Sequence, residues 1–227
     1  VTARLVLAAG AAALLAGCAT TPPGYTETAR FTYDPSRCVD SIAAAPTHAI
    51  HRAVEGERAR DAAKPMQFGD LAACVRAADG LPFPALVFEL DGRVPTQVDV
   101  SFLIERNIAF AARVELLTAD YQPVRTVPFD AFVRRGYSYT GSVFLNGDDA
   151  HVRRLVLVPD TAAVGREEKS TIGVSNQNIV AVPVPAGIVY FNVSTGSEVT
   201  TRSWLSEVGS FVIVARDYQP PAAVKPR

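Results

Sequence analysis

Residues 98–116, VDVSFLIERNIAFAARVEL, decide the fold class. Val98, Val100, Phe102 and Ile104 alternate with Asp99, Ser101 and Leu103, and Ile108, Phe110, Ala112, Val114 and Leu116 keep the same beat. A period of two sends one set of side chains to one face of a sheet, whereas an amphipathic helix would need a period of 3.6. Outward from this stretch, further strand-like runs lie at 83–90, 124–129, 140–145, 152–158, 178–184, 187–193 and 210–215. Turn signals separate them, among them Asp91-Gly92, Asn146-Gly147-Asp148-Asp149, Pro159-Asp160 and Ala186-Gly187. About nine short strands without helical stretches between them predict a mainly β fold, an antiparallel β-sandwich or jelly-roll-like domain over 81–217. A doubly wound nucleotide-binding fold would need intervening helices and is excluded. The longest expected loop is 159–177.

Upstream the texture changes. Residues 34–80 read as a short helical segment, with one helix over 48–63 between Thr47 and Pro65 and a second from Phe68 to Ala78. Residues 18–33 contain ATTPPGYTETARFTY, a Thr- and Pro-rich tether, and 218–227 (YQPPAAVKPR) an extended tail. Residues 5–17, LVLAAGAAALLAG, are uncharged and apolar. They are shorter than the roughly 20 residues a membrane-spanning helix takes, and suit a secretory signal over 1–17. Leu15-Ala16-Gly17-Cys18 resembles the lipobox of bacterial lipoproteins. That resemblance implies cleavage before Cys18, lipidation of its thiol and anchoring by acyl chains (palmitate among them). With Ala19 next, it implies the outer membrane, facing the periplasm. The expected partner is therefore membrane lipid through this anchor.

Lys and Arg number 22 and Asp and Glu 23, for a net charge of −1, which argues against a nucleic-acid partner. Lipidation of Cys18 leaves Cys38 and Cys74, an even pair that in an exported chain reads as a disulfide. No GxSxG, HExxH, P-loop or GxGxxG motif is present, so no enzyme activity and no cofactor are expected. Three candidate constellations read better as ordinary structure. His48 and His51, with Glu55, could face a metal from one helix, but read as exposed helix residues. Asn146, Asp148 and Asp149 could form a calcium loop, but read as a hairpin turn, and no metal site is expected. His151 with Asp148 or Asp149 is the pairing a hydrolase would use. Arg134, Arg135, Arg153 and Arg154 form two basic pairs, read as solvated strand residues. The candidate ligand-binding group is aromatic: Tyr121, Phe129, Phe132, Tyr137 and Tyr139, with Asp120 and Asp130 nearby. Aromatic faces stack on sugar rings while carboxylates take the hydroxyls; core packing is the competing account of the same residues.

The order of short motifs over roughly 70–215 resembles the maltose-operon periplasmic protein family. The pieces are Cys74 with Leu81-Pro82-Phe83, Tyr121-Gln122-Pro123, Gly173-Val174 with Asn176, and Pro183 and Pro185 leading into GIVYFNV from Gly187. The resemblance implies an exported β-rich protein linked to maltose and maltodextrin uptake, with no catalytic residues to carry over. The family's helical C-terminal extension has no counterpart in the Pro-rich residues after Tyr218, which puts the specific maltose link in question. The expected role is a non-catalytic binding or accessory module for oligosaccharide uptake; the alternative is a structural lipoprotein docking another envelope protein.

Overall fold

The computed structural model describes residues 30–54, 57, 63–184 and 187–218, and for 172–199 it describes the backbone. The signal segment, Cys18, the first part of the tether, most of 55–62 and the tail from 219 lie outside the described residues.

In chain order the elements begin with β1 (Thr47–Ala49), β2 (His51–Arg52), β3 (Met66–Gln67), a one-turn helix α1 (Phe68–Leu71) and β4 (Ala73–Arg76). Then come β5 (Pro82–Glu89), β6 (Thr96–Glu105), β7 (Ile108–Phe110), β8 (Ala112–Thr118), β9 (Pro123–Val127), β10 (Val133–Arg135) and β11 (Ser138–Leu145). The last four are β12 (Val152–Pro159), β13 (Glu167–Val184), β14 (Gly187–Ser206) and β15 (Ser210–Asp217). They form two sheets. One runs β1-β5-β12-β8-β9, with β4 also on β5. The other runs β10-β11-β6-β7-β14-β13, with β15 on β6 and β2 and β3 on β15.

The expectation of a mainly β chain holds, but the sheets are mixed rather than antiparallel. β1 pairs with β5, β2 with β15 and β7 with β14 in parallel. The two sheets enclose one core. Leu86, Phe88, Leu155, Leu157, Val114 and Leu116 come from the first sheet, and Val98, Val100, Phe102, Phe211 and Ile213 from the second. Phe110 sits at the junction, with ring centroids 4.3 Å from Phe68 and 5.5 Å from Phe102.

The beat of two explains β6 directly, since Val98, Val100 and Phe102 are fully buried and Asp99 and Ser101 are not. The run from Ile108 to Leu116 keeps its beat but changes sheet. β7 belongs to the second sheet and β8 to the first, and the fully buried Ala111 makes the crossing. Its N–H donates to the Ser206 carbonyl at 2.9 Å, and its own carbonyl accepts from Asp160 N–H at 2.9 Å. The small side chains of Ala109, Ala111 and Ala112 let the chain turn this corner inside the core.

β5 and β12 read as continuous apolar runs because both of their faces are covered. Their outer face packs in a second cluster with Ala45, Val75 and Leu117, under Val39 and Ile42. This explains what the Cys38–Cys74 disulfide does. It closes a 36-residue separation and holds 38–45 over the outer face of the first sheet, beside the Val39–Val75 bridge.

The segment 34–80 corrects the helical reading. The expected helix over 48–63 begins as strand, His48–Ala49 added to β5 and His51–Arg52 to β15, and its residues 55–56 and 58–62 lie outside the described residues. The expected helix from Phe68 to Ala78 lasts one turn and becomes β4. At His48–Ala49 and His51–Arg52, pairing with a neighbouring strand outweighs weak intrinsic helix preference. The loop expected over 159–177 is also corrected, because from Glu167 onward it is strand. β13 and β14 form one long hairpin, paired from Glu167↔Trp204 to Val184↔Gly187. At ~3.3 Å per residue the ribbon is roughly 60 Å long. Among the described residues, no helix is long and apolar enough to cross a membrane.

Candidate functional site

The seven residues of the candidate ligand site do not come together. Phe129, Phe132 and Tyr139 are buried in the main core, with Phe132 4.9 Å from Phe102 and Phe129 4.9 Å from Tyr139. A ring enclosed on both faces cannot stack on a sugar, so the platform reading is corrected to core packing for these three. Tyr137 points outward, 81% exposed, at the β10–β11 turn. Tyr121 lies elsewhere, in a left-handed turn with φ of 61° and the Arg154 guanidinium 5.5 Å from its ring centroid. Asp120 is exposed. The exposed Asp130 pairs with Arg166, whose hydrogen bond holds the carboxyl below its ordinary value.

The metal-like patterns dissolve as well. His48 is in β1, and His51 in β2 lies 3.9 Å from Glu57. Among the described residues, no group of three or more His, Cys, Asp or Glu could hold a metal ion. Asn146 to Asp149 form a capped 3₁₀ turn, in which Asn146 N–H donates to the Asp149 carboxylate at 3.0 Å. That carboxylate is committed to the turn and not to the exposed His151.

What the fold does bring together lies at the root of the long hairpin. Arg106 and Asn107 both have positive φ, 51° and 65°, and make the two-residue turn between β6 and β7. Two left-handed residues define a type I′ hairpin turn, which Asn-Gly or Asp-Gly usually signals; Arg-Asn carries that signal faintly. Trp204 N–H donates to the Asn107 carbonyl at 2.7 Å, and Trp204–Ser206 pair with β7. Arg134 donates to Ser203 Oγ at 3.3 Å and to Thr201 Oγ1 at 3.0 Å. Arg202 and Lys169 meet Glu167 at 3.3 and 3.9 Å. Beyond this root, among the described residues, no strand pairs with the outer edge of β13 or with the outer edge of β14 from Gly187 to Ser203.

Two clefts flank the same end. One, of about 550 Å³, is lined by Arg30, Gln67, Asp70, Glu105, Arg106 and Ser210. The other, of about 450 Å³, is lined by Tyr33, Phe83, Pro84, Arg113, Thr161 and Glu207. The last residues of the expected tether divide them. Phe31 stacks with Tyr33 at 5.9 Å and packs edge-on to Phe68 at 6.1 Å, and its N–H donates to Glu207 Oε2 at 3.1 Å. The balanced charges of both linings suit hydroxyl-rich or zwitterionic groups rather than a polyanion.

No family model, no curated protein and no solved structure matches this chain. The resemblance to the maltose-operon periplasmic family therefore rests on the order of its short motifs alone.

Proposed function

We propose that this chain is a non-catalytic assembly module of a bacterial cell envelope, anchored through lipidated Cys18 in the outer membrane and facing the periplasm. It docks a protein partner by strand addition along the β13–β14 hairpin. The observation that supports this reading is the hairpin itself, 18 and 20 residues long, with no described strand on the outer edge of β13 or on that of β14 from Gly187 to Ser203. An isolated two-stranded ribbon is marginal in water, so a ribbon of this length calls for a covering strand. Strand addition supplies main-chain hydrogen bonds to such an edge.

The test is to shorten the hairpin by joining Thr171 to Thr200, which are paired in register, through Asn-Gly. The body should keep its melting temperature, and crosslinks to envelope proteins in cells should disappear. Crosslinks that persist in the shortened chain overturn the reading.

One observation favours a second reading, carbohydrate uptake. The cleft at Tyr33 and Phe83 offers aromatic side chains beside Arg113 and Glu207. Titration calorimetry with maltodextrins, and its loss in Tyr33→Ala, would support that role; no heat in the unaltered chain removes it.

A further inference from the structure

Among the described residues both edges of the hairpin are open beyond its root, and that constrains what covers them. We propose that the partner is a second copy of this chain. The copies add head-to-tail, so that β13 of one pairs with β14 of the next and the hairpins close a ring. This rests on the docking reading above and names its partner.

Backbone complementarity comes first. In an antiparallel pair, half of a strand's residues turn their N–H and C=O groups away from the partner. Roughly nine residues of β13 therefore present unused pairs of groups to the outside, with a matching set on β14. A foreign strand would satisfy one edge and leave the other. The two edges are antiparallel to each other and almost equally long. Head-to-tail repetition therefore satisfies both, and closure removes the final pair of edges.

The charges of the ribbon stand at its root. Within one hairpin Lys169 lies opposite Arg202, and Glu167 meets Arg202 at 3.3 Å and Lys169 at 3.9 Å. The same register between copies would bring Lys169 of one to Arg202 of the next, with Glu167 diagonal to both.

The sequence also lacks what keeps edges apart. Residues 170–197 contain no Asp, Glu, Lys or Arg, in a chain where charged residues are 20%. Edge strands meant to stay single are blunted by charge or by proline, and here the prolines sit only at the tip, Pro183 and Pro185. The anchor adds a directional argument. Copies tethered to one membrane face must stand the same way up. Cyclic repetition keeps that orientation, whereas a two-fold β13-to-β13 pair reverses the bodies.

The experiment uses the full-length chain extracted from membranes in mild detergent, with its mass measured by light scattering on a sizing column. An integer multiple of the chain mass, above two, is expected. Lys169→Cys chains are mixed with Arg202→Cys chains and treated with a short bismaleimide, and heterodimers should dominate. Ser175→Lys with Gln177→Lys should yield monomers with an unchanged melting curve. A monomeric unaltered chain overturns the proposal, as does a charged variant that still assembles. Crosslinks only between two Lys169→Cys chains overturn the head-to-tail order. If the chain is monomeric yet the hairpin cysteines crosslink to a different envelope protein in cells, this inference falls and the docking reading stands. If neither occurs, both fall.

Discussion

Replacing Phe132 with alanine separates the two accounts of the aromatic cluster. The ring is 6% exposed and packs edge-on against Phe102 at 4.9 Å. On its other side is Gly141, where a Cβ would come within 2.7 Å of the ring. Gly141 and Phe102 lie on β11 and β6, which pair in unbroken register from Ser138↔Leu103 to Leu145↔Thr96. That register prevents the walls from collapsing into the space left by the ring. Phe132→Ala should therefore fall in the usual range for a buried aromatic, about 3–5 kcal/mol. For a chain of this size that is a fall in Tm of roughly 6–20 °C. Gly141→Ala should cost about 1–3 kcal/mol by overpacking the same contact. Combined with Phe132→Leu it should cost less than the sum of the single changes, because the two sites share one space. The assay is urea unfolding followed by far-ultraviolet circular dichroism, with linear extrapolation. A loss below about 1 kcal/mol for Phe132→Ala, with an unchanged denaturant slope, would put the ring outside the core and restore the ligand-platform account.

Three further outcomes follow from the same geometry. Removing the disulfide with Cys38→Ser and Cys74→Ser should destabilise by about 4 kcal/mol from loop entropy, measured by the same unfolding curve, with protease cleavage appearing first in 38–45. Asp160→Ala should cost about 1–3 kcal/mol, because its buried carboxylate accepts from the N–H groups of Phe129 at 2.9 Å and Ala162 at 3.1 Å; recovery of most of that stability in Asp160→Asn would be consistent with a hydrogen-bonding role. For Asp91, partial burial would raise the pKa, but the Arg93 N–H and the Arg52 guanidinium outweigh it and hold the carboxyl below the ordinary carboxylate range. A depressed carboxyl stabilises the fold above its unfolded pKa and loses that contribution as pH falls through the folded one. Stability measured from pH 5 to pH 2 should therefore drop less steeply in Asp91→Asn, and an identical slope would refute the assignment.

Local chemistry carried the sequence reading a long way. Alternation is a property of neighbouring residues, so β6, β12 and β15 were visible within two residues, while the run 108–116 was visible as strand but not its division into β7 and β8. The Cys38–Cys74 pair followed from parity in a chain read as exported, and the structure has that bond. What failed shares one cause. The start of the expected helix over 48–63, His48–Ala49 and His51–Arg52, is sheet edge because β5 and β15 lie beside it at the right distance, which no local propensity records. The polar Ser, Thr, Asn and Gly residues of 170–178 resemble a loop when read alone. They are strand because β14 runs antiparallel beside them. The aromatic residues from Tyr121 to Tyr139 carried no sign of which face they occupy, and burial of three of them was decided when the second sheet closed over the first.

By itself, then, the sequence determined the mainly β class, the pairing of two cysteines and the absence of a recognisable catalytic motif. Each is written in spacings of a few residues or in counts. Only the tertiary structure decided which sheet each strand joins, where the chain crosses at Ala111, and which edges stay open. Those depend on contacts between residues far apart in the chain, such as Trp204 with Asn107 and Phe31 with Glu207. The lack of charge over 170–197 can be counted in the sequence, but only the fold sets most of that run in β13 and β14, whose outer edges no described strand covers there.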